Sequence, residues 1–267
     1  MSESGHSWLR RISIGAGIIL TAFILIVLLL IVTYSSPEQF ISSLFSDEIQ
    51  FAIYLSLATS LTSTFFCILF GVPAAYALAR YNFRGKAFLN TILNLPLALP
   101  PLIAGVGLLL LFAQTPIGHA LAEIGIEFIF TPLGIIVAQF FVNLPFMLRI
   151  MKSTFESIDP RYEHVARTLG CSEFEAFRRV TLPMAKNGFM AATVITWSRG
   201  IGEFGAALMV AGATRMQTES LPVAVFLNMS TGNLALATSA ATILIIIAIV
   251  SLYLFERVGG KSGSGMF

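Results

Sequence analysis

The segment YEHVARTLGCSEFEAFRRVTLP, Tyr162–Pro183, is charged and rich in helix-forming residues, yet it lies between two apolar runs at 131–151 and 187–211. Each run is long enough to cross a bilayer, since a spanning helix needs about 20 predominantly apolar residues. The contrast predicts a membrane protein that exposes a substantial polar segment to water between two of its spans. The role of that segment decides the functional interpretation.

The composition of the whole chain supports a membrane setting. Of 267 residues, 56% are hydrophobic and only 11% are charged, and the mean hydropathy is +0.85, whereas soluble domains carry about 25% charged residues. Because hydrocarbon requires backbone polar groups to be bonded internally, and no alternating strands are visible, we expect an all-α integral membrane fold. Six spans are predicted, at Ile12–Tyr34, Gln50–Ala79, Asn90–Ala113, Thr131–Met151, Asn187–Ala211 and Leu234–Phe255.

The distribution of basic residues predicts the orientation. Lys and Arg favour short cytoplasmic loops. With both termini inside, all of the 16 Lys and Arg residues except Arg199 and Arg215 fall on cytoplasmic segments. Arg10 and Arg11 precede the first span as in a signal peptide, but its apolar stretch exceeds the roughly 7–15 residues of such a core. We expect a multi-pass cell-membrane protein, N-in and C-in, with an uncleaved first span.

Three regions are expected: an anchor helix and first outer loop at 1–49, a transmembrane domain at 50–255 with its cytoplasmic loop at 152–186, and a flexible tail at 256–267. The tail contains Gly260-Lys261-Ser262, the core of a phosphate-binding loop, but the glycine needed five positions earlier is replaced by Phe255. We therefore expect no nucleotide site and no enzymatic activity. No metal-ligand spacing is present, and neither a cofactor nor a nucleic-acid partner is expected.

Cap residues predict two short helices in the polar segment. Asp159 is a good N-cap for the first helix, and Gly170 can end it in the left-handed conformation. Ser172 and Glu175 form a capping box for the second helix, which Pro183 is expected to end. A plain linker needs no such caps, so the pair is interpreted as a docking surface for a cytoplasmic partner, with a solvated loop as the alternative.

The first of these helices is predicted to be amphipathic, with Glu163 on its polar face. Its apolar stripe is predicted to comprise Tyr162, Val165, Ala166 and Leu169.

The same residues resemble the EAA loop of importer-type ABC permeases, whose pattern is Glu-Ala-Ala, three residues, Gly, nine residues, Ile-x-Leu-Pro. His164 and Val165 depart from the usual residues, and Val180 replaces the isoleucine. In that family the loop is a coupling helix that sits in a groove of a separate ATPase subunit. The resemblance therefore implies that ATPase coupling involves Asp159, Glu163, Ala166, Gly170, Leu182 and Pro183.

Two spans carry features that are unusual in passive anchors. Pro100 and Pro101 interrupt the third span, where freed backbone groups must face protein or a water-filled cavity. They predict either a tolerated kink or a broken helix that lines a path or gate. Arg199 and Glu203 lie four residues apart in the fifth span, where a charge costs about 2.5–3.5 kcal/mol. They predict either a buried ion pair that fixes packing or a charged face on the path.

The stretches LPLALPPLIAGVGLLLLF, GEFGAALMVAG and TESLPVAVF resemble the oxyanion branch of these permeases, and most closely its molybdate and tungstate members. The resemblance covers roughly residues 50–255 and implies an importer worked by alternating access. Its partners would be a second copy of the chain, two cytoplasmic ATPase subunits and an extracytoplasmic oxyanion-binding protein. A sulfate or thiosulfate permease is the alternative within the family. An ion-coupled transporter, a channel and a membrane-embedded enzyme are the alternatives outside it.

Overall fold

The computed structural model describes residues 3–259, and all regular structure in this range is helical, which confirms the all-α expectation there. The helices are α1 (Glu3–Tyr34), α2 (Pro37–Leu44), α3 (Asp47–Arg80), α4 (Lys86–Asn94), α5 (Pro101–Gln114), α6 (Pro116–Glu123), α7 (Pro132–Glu156), α8 (Arg161–Thr168), α9 (Glu173–Ala176), α10 (Leu182–Met184), α11 (Lys186–Ile201), α12 (Gly205–Ala211), α13 (Leu221–Ser230) and α14 (Leu234–Gly259). Because α14 reaches Gly259, the first residues of the expected tail are helical. Gly260-Lys261-Ser262 lies outside the described residues.

Within residues 3–259, four helices are individually long and apolar enough to cross a membrane: α1, α3, α7 and α14. They contain the first, second, fourth and sixth predicted spans. No residue from Trp8 to Tyr34 is buried, although α1 packs against α14 along part of its length. An apolar helix with so little protein around it is suited to lipid.

The third predicted span is broken at its prolines. A 3₁₀ turn at Leu95–Leu97 follows α4, and α5 then leaves at an angle of 109° to the first helical stretch. Pro100 has an extended ψ of 134°, because a residue that precedes a proline is disfavoured in the helical region. Pro101 begins α5, where its missing N–H needs no partner. A bend this large makes two helices, so it is a break and not a tolerated kink.

The fifth predicted span is also broken, which the sequence analysis did not anticipate. α11 ends at Ile201 and α12 begins at Gly205, with a short non-helical stretch between them. Gly200 and Gly202 flank this point, and glycine is a poor residue for the interior of a helix. The glycines therefore favour a break in the helix here, although the stretch is apolar enough to be predicted as one continuous span.

Side chains satisfy the backbone groups that this second break releases. Gln139 on α7 donates from Nε2 to the carbonyl of Gly200 at 2.9 Å. Glu203 accepts from the backbone N–H of Ala206 through Oε1 at 2.9 Å and so caps α12. Bonds of this kind make a broken helix tolerable inside a membrane protein.

α7 is the central helix of the bundle, since it packs along α3 and also contacts α11 and α12. Near the end that carries α8, the core contains Leu78, Met147, Met151 and Phe155, all fully buried. The polar segment is therefore attached to a fully buried part of the core.

Candidate functional site

The first helix of the polar segment has the caps that its sequence predicts. The side chain of Asp159 accepts from the backbone N–H of Arg161 at 2.9 Å, at the start of α8. Gly170 has a φ of +96° and follows the helix. The N–H of Cys171 then bonds back to the carbonyl of Ala166 at 3.1 Å. This return bond is the one found where glycine ends a helix.

The capping box of the second helix is also confirmed. Glu175 donates its backbone N–H to the hydroxyl of Ser172 at 3.3 Å, and its carboxylate accepts from the Ser172 N–H at 2.9 Å. The backbone N–H and the hydroxyl of Ser172, followed by the nearby charge of Arg179, lower the pKa of Glu175. The box holds the start of α9 just beyond the turn at Gly170.

The expectation that Pro183 ends the second helix is wrong. A π-helical turn at Phe177–Thr181 follows α9 and leads directly into α10, where Pro183 lies in the first turn. The N–H of Leu182 bonds to the carbonyl of Phe177, five residues back. Proline has no N–H to contribute, and the first turn of a helix is where that loss is tolerated. The chain therefore runs almost without interruption from α9 through α10 into α11.

Glu163 lies on the buried side of α8, which corrects its predicted place on the polar face. Its Oε1 accepts from Arg80 Nε at 2.9 Å and from Thr181 Oγ1 at 2.7 Å, and its Oε2 accepts from the Tyr76 hydroxyl at 2.8 Å. Burial raises the pKa of this carboxyl, but the hydrogen bonds from Thr181 and Tyr76 and the charge of Arg80 outweigh it and hold the pKa below its usual value. Glu163 thus ties α8 both to α3 and to the π-helical turn.

This orientation turns most of the predicted apolar stripe outward. Only Ala166 is buried, on the same side of α8 as Glu163. Tyr162, Val165 and Leu169 are 54%, 58% and 81% exposed, and Phe174 on α9 is 70% exposed. We call these four the apolar patch. Large exposed apolar residues on one helix pair are typical of an interaction surface.

Of the other predicted coupling residues, Pro183 is exposed and Leu182 is half-buried. Asp159 and Gly170 act on the backbone at the two ends of α8. The sequence analysis missed Tyr76, Arg80 and Thr181. The only sequence signal was an i, i+4 pair of Tyr and Arg at the end of α3, and nothing in the sequence connects that pair to Glu163.

The two breaks in the membrane region lie against each other. A Cβ on Gly205, at the start of α12, would be 3.2 Å from Cβ of Pro101. One turn further along α5, a Cβ on Gly105 would be 2.8 Å from Cα of Ala206. α5 and α12 therefore cross in close contact just beyond their breaks, with Pro100 exposed beside this crossing.

Arg199 and Glu203 do not form the predicted ion pair. The helix ends between them, so four residues of spacing no longer place them on one face. Arg199 instead has its guanidinium 4.1 Å from the ring centroid of Phe146, while Glu203 caps α12. In the part of the chain that the structure describes, no group of three or more His, Cys, Asp or Glu side chains could hold a metal ion.

Comparison with known proteins agrees with this architecture. The family model described as "Binding-protein-dependent transport system inner membrane component" matches residues 67–259. The sulfate transport system permease protein CysW of Synechocystis sp. is 34% identical over 86% of this chain and 84% of its own. The molybdenum transport system permease protein ModB of Mycobacterium bovis is 33% identical over 89% of each chain.

A solved structure gives the same result for the fold. The crystal structure of a bacterial alginate ABC transporter, in complex with its pentasaccharide-bound periplasmic protein, contains a chain with a TM-score of 0.73 at 19% identity, covering 97% of this chain and 95% of that one. The helical bundle and its anchored polar helix pair thus define an integral membrane permease with the type I ABC permease fold. The chain belongs to the family of binding-protein-dependent transport system inner membrane components.

Proposed function

We propose that this chain is the permease subunit of an ATP-driven importer for a tetrahedral oxyanion, molybdate or tungstate, and that it works by alternating access. Relatives named for molybdenum and for sulfate transport, at 33% and 34% identity over most of the chain, support an oxyanion substrate. The energy comes from a separate ATPase, and the permease itself performs no chemistry.

The observation that carries the proposal is the anchored apolar patch. A helix pair that presents Leu169 and Phe174 to water gains by covering them, at roughly 25 cal/mol per Å² of apolar surface buried. Glu163 fixes the same pair to α3 and to the continuous helical stretch that leads into α11. A partner that binds the patch and moves can therefore displace the membrane helices as well as the polar segment.

The complete transporter then has six spans per permease, both termini in the cytoplasm, and two permeases around a two-fold axis, the commonest symmetry of oligomers. Two ATPase subunits bind the patches of the two copies. A binding protein delivers the anion to the outer face, which includes residues 212–233. ATP closes the ATPase dimer, moves α8 and α9 and changes the side to which the path opens.

The path runs beside the crossing of α5 and α12. The breaks at Pro100 and Pro101 and at residues 202–204 allow short helices to shift without deforming a whole span. Arg199, which is exposed near the second break, provides a positive charge on the path. We expect Arg199→Ala to lower uptake by more than tenfold with little change in the melting temperature of the complex. A large fall in the melting temperature together with the loss of uptake would show that Arg199 only supports packing.

The decisive experiment for the proposed class is uptake into proteoliposomes. The permease is reconstituted with its ATPase and binding protein, and uptake of labelled molybdate is measured with and without ATP. We expect uptake that requires all three components. Flux through the permease alone would instead indicate a channel or an ion-coupled transporter.

Sulfate or thiosulfate is the alternative substrate, because the relative named for sulfate transport is as similar as the one named for molybdenum. The binding protein is expected to set this choice, since Arg199 alone would hold a dianion only weakly. Molybdate or tungstate should displace sulfate from the binding protein and compete with it for uptake. A binding protein that prefers sulfate, together with uptake that molybdate fails to inhibit, would assign the permease to sulfate.

A further inference from the structure

A cavity of about 780 Å³ opens between α4 and the last third of α7. α7 contributes Arg149, Lys152 and Ser153, and α4 contributes Asn90 and Asn94. The 3₁₀ turn that precedes the proline break forms part of the same wall, so the cavity begins where the first broken segment begins. With the orientation proposed above, its mouth faces the cytoplasm.

The charge in this cavity is positive. Lys152 Nζ lies 3.3 Å from Glu156 Oε1, so these two largely neutralise each other. Arg149 makes no salt bridge with any residue in the described range. An unpaired guanidinium offers a planar fork of N–H donors that matches two oxygens of an oxyanion.

The hydroxyl of Ser153 suits the same kind of ligand. Ser153 lies one turn beyond Arg149 on α7, so its hydroxyl can donate to a ligand held by the guanidinium. Asn94 donates its amide to the carbonyl of Asn90 at 2.6 Å, and its own side-chain oxygen is buried without a hydrogen-bond partner. Because this oxygen is an acceptor and is closed off from the cavity, it takes no part in binding an anion; the groups that can donate to one are Arg149 and Ser153.

We propose that the cavity is an anion site at the cytoplasmic mouth of the path, which receives a tetrahedral oxyanion through Arg149 and Ser153. The inference rests on the proposed function, because it takes the imported anion to be the ligand. One unpaired cation in an open, wet cavity binds weakly and is sensitive to salt. Weak binding suits a place from which the anion must leave. The phosphate of an anionic lipid headgroup has the same chemistry, and the orientation proposed above places this end of α4 and α7 near the headgroups.

The test measures anion binding to the purified permease–ATPase complex in uncharged detergent, without nucleotide or binding protein. Labelled sulfate and molybdate are followed by equilibrium dialysis at low ionic strength. We expect Arg149→Gln to weaken binding at least fivefold. Arg84→Gln is the matched control, because Arg84 is exposed on the loop before α4 and does not line the cavity; it should bind as the unchanged chain does. Equal binding by the two variants would overturn the inference.

A second arm identifies the source of the anion. The dialysis is repeated in nanodiscs of phosphatidylcholine, with and without phosphatidylglycerol. Free oxyanion is the ligand if phosphatidylglycerol leaves Arg149-dependent binding unchanged, and a lipid headgroup occupies the site if it suppresses that binding. ATP-dependent uptake by the unchanged chain tests the proposed function separately. Normal uptake with no Arg149-dependent binding would reject this site alone, whereas no uptake would reject the proposed function.

Discussion

Glu163 joins the polar segment to the membrane bundle. Its carboxylate accepts hydrogen bonds from α3 and from the π-helical turn, and 9% of the residue is exposed. A buried carboxylate with three donors and a cationic partner is well compensated. Losing the charge leaves Arg80 buried beside groups that no longer neutralise it.

Glu163→Gln should therefore destabilise the helix pair, since breaking one side of a buried pair costs about 3–5 kcal/mol. We expect the variant complex to melt at a lower temperature and to lose most ATP-driven uptake. Glu173→Gln is the control, because Glu173 is exposed and bonds only to the hydroxyl of Tyr81 among the described contacts. Similar behaviour of the two variants would show that Glu163 is not the anchor.

The same contact predicts a pH dependence. The pKa of Glu163 is lowered in the folded protein, so its stabilising effect is complete well above the unfolded-state value of about 4.3 and is lost as pH falls through the folded-state value. The difference in melting temperature between the unchanged chain and Glu163→Gln should therefore stay constant from pH 6 down to about pH 5 and shrink as the pH falls below about 4.3 towards pH 3. A difference that stays constant down to about pH 3 would contradict the assignment.

At the scale of single elements, the C-terminal end of α8 and the crossing of α5 with α12 each require a glycine, but for different reasons. Gly170 is needed for its positive φ, and nothing lies within 4 Å of where its Cβ would be. Gly105 is needed for space, because a Cβ there would collide with the backbone of Ala206. Each requirement gives a prediction with a matched control.

Gly170→Pro should abolish ATP-driven uptake while the spans still insert, because proline fixes φ near −65° and cannot follow α8 in its present direction. Gly125→Pro is a close match. Gly125 also has a positive φ, an open space around its Cβ position and a backbone N–H bonded three residues back, but it lies in another loop. Uptake by the two variants is compared at equal membrane levels, and normal uptake by Gly170→Pro would refute the role of this turn.

Gly105→Ala should separate α5 from α12 and destabilise the complex by about 1–3 kcal/mol, the usual cost of overpacking. Gly107→Ala, on the same helix, should be neutral or slightly stabilising, because nothing lies within 4 Å of its Cβ position. Thermal unfolding of the two complexes in one detergent makes the comparison. An unchanged melting temperature for Gly105→Ala would mean that α5 and α12 do not cross as described.

Local signals predicted the elements that local interactions decide. The caps at Asp159, Gly170 and Ser172 depend on residues within one turn of each other, and the sequence predicted them. At Pro100 and Pro101 it predicted either a kink or a break. The π-helical turn and the inward side of α8 involve partners far along the chain, and so does the bond from Gln139 to Gly200 that supports the second break. Amphipathic periodicity identifies two faces of a helix but does not say which of them meets the protein.

At the scale of the whole molecule, the polar segment is connected to both broken segments of the membrane region. The polar segment is bonded to α3, continues into α11, and α11 ends at the break that leads to the crossing of α12 with α5. A displacement of α8 therefore has a covalent and hydrogen-bonded route to both broken segments. The length and apolar character of the helices were predictable from sequence, whereas this route was not, because it depends on contacts between distant residues.

The central claim is that a soluble ATPase binds the apolar patch, and cross-linking tests this claim most directly. Leu169→Cys is made in a chain carrying Cys171→Ser, since Cys171 is the accessible native thiol and Cys67 is buried. Cysteines are placed along the exposed groove of the ATPase. Arg11→Cys, in the N-terminal part of α1 and outside the polar segment, serves as the control position. The account predicts rapid disulfide formation from position 169, with a yield that changes when ATP is bound. An ATPase that copurifies and hydrolyses ATP but never cross-links to position 169 would contradict it.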